Sequence, residues 1–474
     1  MITLKLSSCL IYYLLIGYIL AFNTCCKFER RNNFKAVEEN LTEEQVKLEA
    51  SRCLDCKNPQ CVKGCPVNIN IPSFIRALKN EDLELAGNII RESSLLPSVC
   101  GRICPQEKQC EGKCILGIKS EPIAIGALER YVGDNTEANS FSIKPNGKKV
   151  AIVGSGCAGI TAATDLRKAG FDVTIFEALH EFGGVLRYGI PPFRLPRKIL
   201  DKELNNLKNL GVKFEKNVIV GKSITLNQLK DDGFDAIFIC SGAGLPKMMN
   251  IPGENLNGVF SANEFLTRVN LMHANEENSI TPLKVGDKVA VIGGGNVAMD
   301  AARTAVRVGF KTVYIVYRRT EKELPARLEE IRHAKEEGVN FVFLHSPVEI
   351  TGEDGYVKGM KFEIMELGAP DESGRRSPVG TGKFITFDLD AVIVALGTGP
   401  NPIIQRSADS EGLNFELDKR GYFIVDETTQ ETSIPTIFAG GDVAPTGVSN
   451  AINAMGAGKK AAKAIIEYLK VQVR

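Results

Sequence analysis

The spacing of apolar residues divides the chain into regions of different predicted structure. In residues 42–53, apolar positions recur at helical intervals after Thr42, and Gln45 stands three positions further on. This arrangement predicts a capped helix that leads to Cys53. Residues 71–92 predict two short helices with a break near Asn80, and a polar, turn-rich linker follows over residues 139–148. The first part of the chain is therefore predicted to be a compact helical module.

From residue 149 the pattern changes to strand, glycine turn, helix and strand. The segment reads KVAIVGSGCAGITAATDLRKAGFDVTIFEA and predicts a complete βαβ unit. Gly154 permits the tight turn, Gly156 lets the backbone approach a pyrophosphate, and Gly159 allows the helix to pack closely on the strand. Glu177 ends the second strand, where a carboxylate can bind a ribose hydroxyl. The predicted cofactor-binding residues of the turn are Gly154, Ser155, Gly156, Ala158 and Gly159.

A second fingerprint of the same kind begins at residue 287 and reads DKVAVIGGGNVAMDAARTAVRVGFKTVYIVYRR. Its three small positions are Gly293, Gly295 and Ala298. The second strand ends in Arg318 and Arg319 in place of an acid, which favours NADP(H) because arginine accommodates a 2′-phosphate that a carboxylate would repel. Arg327 is expected to add a further contact. The alternative is that Arg318 and Arg319 are only a solvated pair of charges.

Later apolar segments are predicted to complete the first nucleotide domain. Residues 234–244 and 388–402 read as strands that run into glycine turns, and a third strand ends at Gly441 and Asp442 before a helix of small residues. A carboxylate at that strand end can accept hydrogen bonds from flavin ribityl hydroxyls, while the helix N-terminus faces the cofactor. The second nucleotide domain is therefore predicted to be inserted within the first. Cys157 and Cys240 are interpreted as small buried residues.

Eight cysteines precede these domains in two runs, C-x2-C-x4-C-x3-C-P and C-x3-C-P-x4-C-x3-C. Thiolates at such spacing can converge on a metal centre, and the closing Cys-Pro is typical of ferredoxin-like iron–sulfur ligation. Structural zinc is the alternative. A disulfide framework suits small secreted domains and not a long chain with two nucleotide sites. The cysteines are Cys53, Cys56, Cys61 and Cys65 in the first run, and Cys100, Cys104, Cys110 and Cys114 in the second.

Composition and charge limit the classes of partner that the protein is expected to bind. The 474 residues suffice for about three domains. The 58 Lys and Arg nearly balance the 57 Asp and Glu, so no overall basic field exists for nucleic acid or an anionic membrane. Residues 9–22 are apolar but short of the roughly 20 residues that a bilayer needs. A misplaced start or non-native leader is the favoured explanation, with a membrane anchor or a cleaved signal as alternatives, and the thiolates predict a reducing, cytoplasmic location.

These patterns together predict an α/β protein with an N-terminal all-α iron–sulfur module, followed by two nested Rossmann-like domains of the disulfide-reductase type. The expected boundaries are an apolar leader over residues 1–26 that is not part of the fold, a helical cluster domain over 27–145, an FAD domain over 146–285 and 386–474, and an NADP(H) domain over 286–385. Unlike disulfide reductases, the chain has only Cys157 near the first glycine turn and lacks a redox-active cysteine pair there. The flavin is therefore expected to discharge elsewhere.

From about residue 31 onward the chain resembles the small subunit of NADPH-dependent glutamate synthase, and also the large subunit of electron-bifurcating NADH-dependent ferredoxin:NADP oxidoreductase. The motifs that carry the resemblance are RCLDCKNPQCVKGCPVNINIP, VCGRICPQEKQCEGKC, YGIPPFRLPR, GAGLPKMMNIPGENLNGVFSANEFLTRVNL and ELPARLEEIRHAKEEG. The electron-entry part of dihydropyrimidine dehydrogenase is a more distant cousin. The resemblance covers more than nine-tenths of the chain.

The resemblance implies interleaved ligation of two [4Fe-4S] clusters. One cluster would be held by Cys53, Cys56, Cys61 and Cys114. The other would be held by Cys65, Cys104 and Cys110, with Glu129 as the oxygen ligand that completes it. By spacing alone Cys100 is the natural fourth ligand, and it stays an alternative.

The resemblance also implies the nucleotide contacts. For FAD these are the Gly154 turn, Glu177, Gly183, Gly184, Arg194 and Asp442, beside Gly441 from the sequence pattern. For NADP(H) they are Gly295, Asn296, Val297, Arg318, Arg319 and Gly397, beside Gly293 and Arg327 from the sequence pattern. No side chain is expected to act as a catalytic acid or base, because hydride transfer between stacked rings needs positioning alone.

The resemblance further implies a function. NADPH would reduce FAD, and electrons would leave through the clusters to a second redox subunit, the glutamate synthase large subunit, which forms glutamate from glutamine and 2-oxoglutarate. The alternative partner is a small FAD/[2Fe-2S] subunit of the bifurcating enzyme. A homo-oligomer is also possible, whereas nucleic acid and membrane partners are not expected. A zinc-bearing nucleotide-sensing module without turnover is the hypothesis from another class.

Overall fold

The protein is described by a computed structural model over residues 27–137, 142–370, 376–447 and 449–471. These residues form two compact units. The first contains the chain up to residue 137 together with Pro192–Pro196, and the second contains the remainder. A helix of the length and apolar character needed to cross a membrane is not found among the described residues. The predicted leader over residues 1–26 lies outside them.

The first unit is helical. Its helices are α1 (Lys27–Arg30), α2 (Glu43–Ser51), α3 (Gln60–Gly64), α4 (Ile71–Lys79), α5 (Leu83–Ser93), α6 (Pro97–Ile103) and α7 (Ile125–Asn135), with 3₁₀ turns at Gln106–Lys108, Glu111–Lys113 and Ile115–Ile118. The predicted capping box is confirmed, because the Thr42 side chain accepts from the Gln45 N–H while the Gln45 side chain accepts from the Thr42 N–H. The predicted break after α4 is confirmed as well, and Asp82 caps α5 by accepting from the Leu85 N–H.

The core of this unit includes cysteines among its apolar side chains. Phe74, Ile90 and Leu128 are fully buried, and Cys65 and Cys110 belong to the same cluster. Helices α6 and α7 cross at backbone contact, since a Cβ on Gly101 would lie 2.5 Å from the Arg130 nitrogen. This close approach brings the end of α6, which leads into Cys104, against the turn of α7 that carries Glu129.

The second unit contains two parallel five-stranded sheets with strand orders β15-β4-β1-β2-β3 and β6-β13-β7-β8-β9. The strands of the first sheet are β1 (Lys149–Val153), β2 (Asp172–Glu177), β3 (Lys213–Lys216), β4 (Ala236–Ile239) and β15 (Ile437–Ala439). Those of the second sheet are β6 (Val259–Ser261), β7 (Lys288–Ile292), β8 (Thr312–Tyr317), β9 (Asn340–Phe343) and β13 (Ala391–Val394).

The helices of this unit are α8 (Cys157–Lys168), α9 (Val185–Tyr188), α10 (Arg197–Asn209), α11 (Leu226–Asp231), α12 (Ala262–Asn270), α13 (Asn296–Val308), α14 (Leu328–Glu336), α15 (Ile403–Ser410) and α16 (Ala451–Val471), with 3₁₀ turns at Glu321–Glu323 and Gly441–Val443. Two short strands, β5 (Leu245–Pro246) and β14 (Thr398–Gly399), pair antiparallel with each other.

The chain leaves the first sheet after β4, builds the second sheet, and returns to the first only at β15. The predicted nesting and the α/β class are therefore confirmed. The assignment of residues 388–402 to the first nucleotide domain is wrong for its strand, because β13 pairs in parallel with β7, with Val392 opposite Ala290. Strand β6, which precedes residue 286, also belongs to the second sheet through its pairing with β13. A buried apolar run does not reveal which neighbour it will pair with, so the expected boundaries at 285 and 386 cut through this sheet.

A separate three-stranded antiparallel sheet packs against the second five-stranded sheet and was not predicted. It consists of β10 (His345–Glu353), β11 (Tyr356–Pro370) and β12 (Arg376–Asp388). Ile350, Met360 and Phe362 pack in one buried cluster with Val392 and Val394 of β13. This layer covers one face of the second parallel sheet.

Candidate functional site

Four of the cysteines in the first unit form one group. Burial, together with the neighbouring thiols of Cys114 and Cys53, raises the pKa of Cys61 to about 11. Burial also raises the pKa of Cys53, which has Cys56 as a neighbouring thiol. The fold therefore brings together Cys53, Cys56 and Cys61 of the first run with Cys114 of the second. All four side chains are half-buried.

A second group lies deeper. Burial, together with the nearby Glu129 and Cys104, raises the pKa of Cys65 to about 11. The pKa of Cys110 is also raised, first by burial and then by Glu111, Glu129, Cys104 and Cys65. Cys65, Cys104 and Cys110 are all buried. The two groups interleave the two sequence runs in the manner that the resemblance implies.

Glu129 lies beside the second group. Its side chain, carried on α7, is 5% exposed, and its Oε1 atom has no hydrogen-bond partner. Burial, together with the nearby Glu111 carboxylate, raises its pKa to about 8. A buried carboxylate oxygen with a free lone pair beside three thiols is suited to bind a metal atom. Cys100 is fully buried in α6, and its carbonyl accepts a hydrogen bond from Gln106 Nε2 at 3.1 Å.

The first glycine turn has the backbone geometry of a dinucleotide site. Gly154 has a φ of 114°, and a Cβ there would lie 2.5 Å from the Cys240 carbonyl oxygen. A Cβ on Gly159 would lie 2.1 Å from the Gly154 carbonyl oxygen, so α8 packs directly on the turn. Around Gly156, in contrast, no atom lies within 4 Å of an added Cβ. The turn is closed on the strand side and open at the position where a pyrophosphate would approach the N-terminus of α8.

Glu177 connects the strand end to this turn. Its Oε2 accepts from the Ser155 N–H at 3.1 Å and from the Ser155 hydroxyl at 2.5 Å, and the Ser155 Oγ in turn accepts from the Gly183 N–H at 2.8 Å. Its Oε1 accepts from the Leu179 N–H at 3.0 Å. The predicted residues Ser155, Glu177 and Gly183 thus form one network, in which Oε1 of Glu177 keeps a lone pair for a ligand hydroxyl.

Asp442 and Tyr188 lie on the other side of this site. Asp442 follows Gly441, whose φ is 74°, and burial raises the pKa of its carboxyl while a hydrogen bond with Ser449 lowers it. Burial, together with the charges of Asp442 and Glu177, raises the pKa of Tyr188 to about 12. The structure therefore gathers Glu177, Asp442 and Tyr188. Sequence reasoning missed Tyr188, although it stands in the motif YGIPPFRLPR.

Two predicted flavin residues have other surroundings. Gly184 has a φ of 53°, and a Cβ there would lie 3.0 Å from the Gly156 Cα, so it borders the glycine turn. Arg194 lies in Pro192–Pro196, the segment that belongs to the first unit. Cys157 and Cys240 are buried as expected, and the ten cysteines within the described ranges are all free thiols.

The second glycine turn repeats the first. Gly293 has a φ of 144°, Gly295 has open space where a Cβ would stand, and Ala298 is fully buried. Asn296 begins α13, and its Oδ1 accepts from the Arg327 N–H at 2.9 Å. This hydrogen bond holds the N-cap of α14 against the start of α13. Val297 is exposed in the first turn of α13. Gly397 has a φ of 94° and accepts from the Lys247 N–H at 3.0 Å.

The arginines after β8 have different environments. Arg318 is exposed. Arg319 is buried, and its Nε donates to the Arg376 carbonyl at 2.9 Å, which ties the strand end to β12. Arg327 is also buried. Arg319 is therefore not part of a solvated pair of charges. Arg318 is exposed and can contact a ligand.

Two family models match the chain. Residues 30–141 match the model described as dihydropyrimidine dehydrogenase domain II, 4Fe-4S cluster. Residues 148–458 match the pyridine nucleotide-disulphide oxidoreductase model. The two matched ranges correspond closely to the helical unit and to the nested sheets.

Curated relatives resemble the chain over most of its length. The glutamate synthase [NADPH] small chain of Escherichia coli is 35% identical over 93% of this chain and 95% of the relative. The corresponding small chain of Azospirillum brasilense is 32% identical over 94% of this chain and 93% of the relative. The beta subunit of the NADP(+)-dependent formate dehydrogenase of Moorella thermoacetica is 39% identical, but the chain spans only 60% of it.

Solved structures share the fold of the second unit. FprA of Mycobacterium tuberculosis in complex with NADPH has a TM-score of 0.56 and 23% identity over 69% of this chain and 85% of that chain. The thioredoxin reductase of T. acidophilum has a TM-score of 0.52 and 22% identity over 68% of this chain and 99% of that chain. At this identity the likeness supports the two-dinucleotide fold and nothing more specific.

Proposed function

Because the chain belongs to the glutamate synthase small-chain family and is an NADPH-dependent oxidoreductase of that type, we propose that it is the NADPH-oxidising iron–sulfur flavoprotein subunit of a glutamate synthase. The observation that supports the proposal is that one chain contains both kinds of feature: two interleaved groups of cysteines in the first unit and two open glycine turns in the second. A second redox subunit, which forms glutamate from glutamine and 2-oxoglutarate, would accept the electrons.

In this proposal the half-exposed group holds one [4Fe-4S] cluster through Cys53, Cys56, Cys61 and Cys114. The buried group holds the other through Cys65, Cys104, Cys110 and Glu129. Buried thiols of raised pKa fit this role, because a metal provides the positive charge that favours the thiolate. In this scheme each site takes cysteines from both runs.

The first sheet would hold FAD. The open side of the Gly156 turn and the N-terminus of α8 would bind the pyrophosphate through backbone N–H groups. Glu177 would accept a ribose hydroxyl, and Asp442 would accept from ribityl hydroxyls. Ser155 and Gly183 would hold the Glu177 carboxylate in position.

The second sheet would hold NADP(H) through Gly293, Gly295, Asn296, Val297 and Gly397. Arg318 would bind the 2′-phosphate from its exposed position, with Arg319 and Arg327 adding positive charge from buried positions. The expected extent of the two nucleotide domains would then follow the two sheets, with β6 and β13 counted in the NADP(H) domain. When bound, these cofactors supply hydride transfer from NADPH to the flavin and single-electron transfer through the clusters to the partner.

Anaerobic purification with iron, sulfide and flavin analysis tests the proposal. We expect about eight iron and eight sulfide per chain, since each [4Fe-4S] cluster contains four of each, together with one FAD and reduction by NADPH. Reconstitution with a glutamate synthase large chain should then yield glutamate from glutamine and 2-oxoglutarate at the expense of NADPH. A protein that contains zinc in place of iron, without the broad visible absorption of the clusters, would contradict the proposal.

A further inference from the structure

Three large apolar side chains are exposed beside the half-buried cysteine group. Leu54 is 59% exposed and follows Cys53 in the chain. Ile115 is 51% exposed and follows Cys114, and Ile118 is 77% exposed. We call Leu54, Ile115 and Ile118 the apolar patch.

The fold gathers these residues at one place. Cys53 and Cys114 are both neighbours of Cys61, so the residues that follow them border the same ligand group. Ile115–Ile118 is a 3₁₀ turn, in which residues three apart lie on the same side. The apolar patch therefore borders the half-buried ligand group, whereas the second ligand group is buried.

Lysines surround the apolar patch. Lys57 lies next to Cys56, Lys63 precedes Gly64, and Lys119 follows Ile118, and all three lysines are exposed. Lys113 is exposed too, and its Cγ lies 2.9 Å from the position of a Cβ on Gly64, so its stem lies against α3. We call Lys57, Lys63, Lys113 and Lys119 the basic rim.

The nearby acids compensate only part of the charge of the four lysines, because one of them, Asp55, is already paired with an arginine. Asp55 is bound by Arg76 through hydrogen bonds of 2.7 and 2.9 Å. Glu111 is half-buried, and one of its oxygens accepts from the Gly126 N–H at 2.9 Å. Glu121 is exposed. The rim is thus locally basic although the whole chain has a formal net charge of only +1.

We propose that the apolar patch and the basic rim form the docking surface for an electron-accepting protein whose redox centre lies within an apolar contact area bordered by acidic side chains. The inference rests on the proposed function and adds the place of electron exit and the charge of the partner. The half-buried ligand group lies at this surface, and exposed apolar side chains with charged borders are typical of protein contact sites.

Charge selects this occupant over a second copy of the chain. Two copies that met through this face would bring lysines against lysines, and like charges across an interface weaken it. The surface fits a complementary acidic protein.

The proposed docking surface is tested by measuring how the holoenzyme reduces two one-electron acceptors of opposite charge. An acidic rubredoxin and a basic cytochrome c are each reduced by NADPH, which becomes NADP⁺ and a proton while two acceptor irons gain one electron each. In the variant with Lys57, Lys63, Lys113 and Lys119 all changed to Glu, kcat/KM for rubredoxin should fall by about tenfold or more, because charge steering changes association rates by 10- to 1,000-fold. The value for cytochrome c should rise, and both changes should shrink with salt.

A matched control variant separates local charge from net charge. Changing the exposed residues Lys222, Lys383, Lys419 and Lys470 to Glu alters the net charge equally on the second unit. It should leave both acceptors within about twofold of the wild-type rate if steering is local. Equal effects of the two quadruple variants would overturn the proposal.

The apolar patch is tested by Ile115→Ser with Ile118→Ser, against Ile280→Ser with Ile424→Ser, two exposed isoleucines of the second unit. Only the first pair should raise KM for rubredoxin, while reduction of a small uncharged quinone stays unchanged. Binding to vesicles of anionic lipid that is lost in the rim variant, with rubredoxin kinetics unaffected, would mean a membrane surface and overturn the proposal. If NADPH reduces the clusters in both the wild type and the quadruple rim variant but the acceptor kinetics do not change as expected, only the docking proposal is overturned. Clusters that NADPH cannot reduce would instead contradict the proposed function.

Discussion

At the scale of single residues, Glu129 is the most informative side chain in the first unit. Its Oε1 is buried without a partner beside thiols of the second ligand group. We expect Glu129→Ala to change the EPR spectrum or the reduction potential of one cluster only, because an oxygen ligand is harder than a thiolate and ligand identity sets the potential. FAD reduction by NADPH should be unaffected.

Cys100→Ser is the matched control, since Cys100 is equally buried and is the ligand that spacing alone would favour. It should leave both cluster spectra as in the wild type. If Cys100→Ser removes a cluster while Glu129→Ala changes neither spectrum, each run of cysteines holds its own cluster and the interleaved scheme is wrong.

Arg318 carries the second prediction at this scale. Because it is exposed while Arg319 is bound to the Arg376 carbonyl, Arg318→Ala removes a phosphate contact without disturbing a buried structure. A charge-assisted hydrogen bond contributes about 1.5–3 kcal/mol, so KM for NADPH should rise roughly 10- to 100-fold. KM for NADH should hardly change. Lys311→Ala, at the opposite end of β8, is the control and should alter neither value, and parallel losses for both cofactors in Arg318→Ala would contradict the assignment.

At the scale of elements, a buried ion network fixes α14 against α13. Arg303 contacts Glu330 through a short ion pair and Glu337 at 2.9 Å, and Arg307 contacts Glu337 at 2.6 Å. The side chains of Arg303, Arg307 and Glu337 have no exposed area. Because Arg327 is the N-cap of α14, the network also positions that arginine beside the second glycine turn.

Glu337→Ala should lower the free energy of unfolding of the second unit by about 3–5 kcal/mol, because it leaves two buried guanidinium groups without their shared carboxylate. Urea titration followed by circular dichroism measures the change. Glu321→Ala, which removes an exposed ion pair with Lys335, should cost less than about 1 kcal/mol. Similar losses in the two variants would show that the buried network contributes no more than a surface pair.

His333 of α14 gives this element a dependence on pH. Burial lowers its pKa from 6.5 to about 4, and the charge of Arg303 adds to the effect. The unfolded chain therefore binds the proton more tightly, so stability is fully present above about pH 6.5 and is lost as pH falls towards 4. The loss should be on the order of 3 kcal/mol. In His333→Gln the slope of stability between these pH values should flatten, and an unchanged slope would contradict this assignment.

At the scale of the whole molecule, the two units should respond differently to loss of the clusters. The core of the first unit contains Cys65 and Cys110, and its ligands come from loops between short helices. Metal binding is expected to supply part of its folding free energy. The second unit has its own buried clusters of apolar residues around two sheets.

Oxidative removal of the clusters with a chelator should therefore unfold the first unit and leave the second folded. Limited proteolysis should cut within residues 43–135, while the nested sheets resist and still bind FAD. A control incubation with the chelator under reducing conditions should leave both units intact. Equal protection of the first unit with and without clusters would show that its apolar core suffices.

The sequence alone determined the features that depend on short-range chemistry. The Thr42 capping box, the break after α4, the three roles of the residues in the first glycine turn, and the arginines after β8 were all readable, because each depends on neighbours within a few positions. The insertion of the second nucleotide domain within the first could also be predicted, because the strand before Gly441, assigned to the first domain, follows the second fingerprint in the chain.

The tertiary structure decided what depends on long-range contacts. Only the fold placed Cys114 beside Cys61 and Glu129 beside Cys65. These positions support the interleaved ligation that the family resemblance implies. Only strand pairing assigned β13 to the second sheet, and only side-chain environment distinguished exposed Arg318 from buried Arg319. Periodicity reports which face of an element is buried and not which partner buries it, so these pairings required the three-dimensional arrangement.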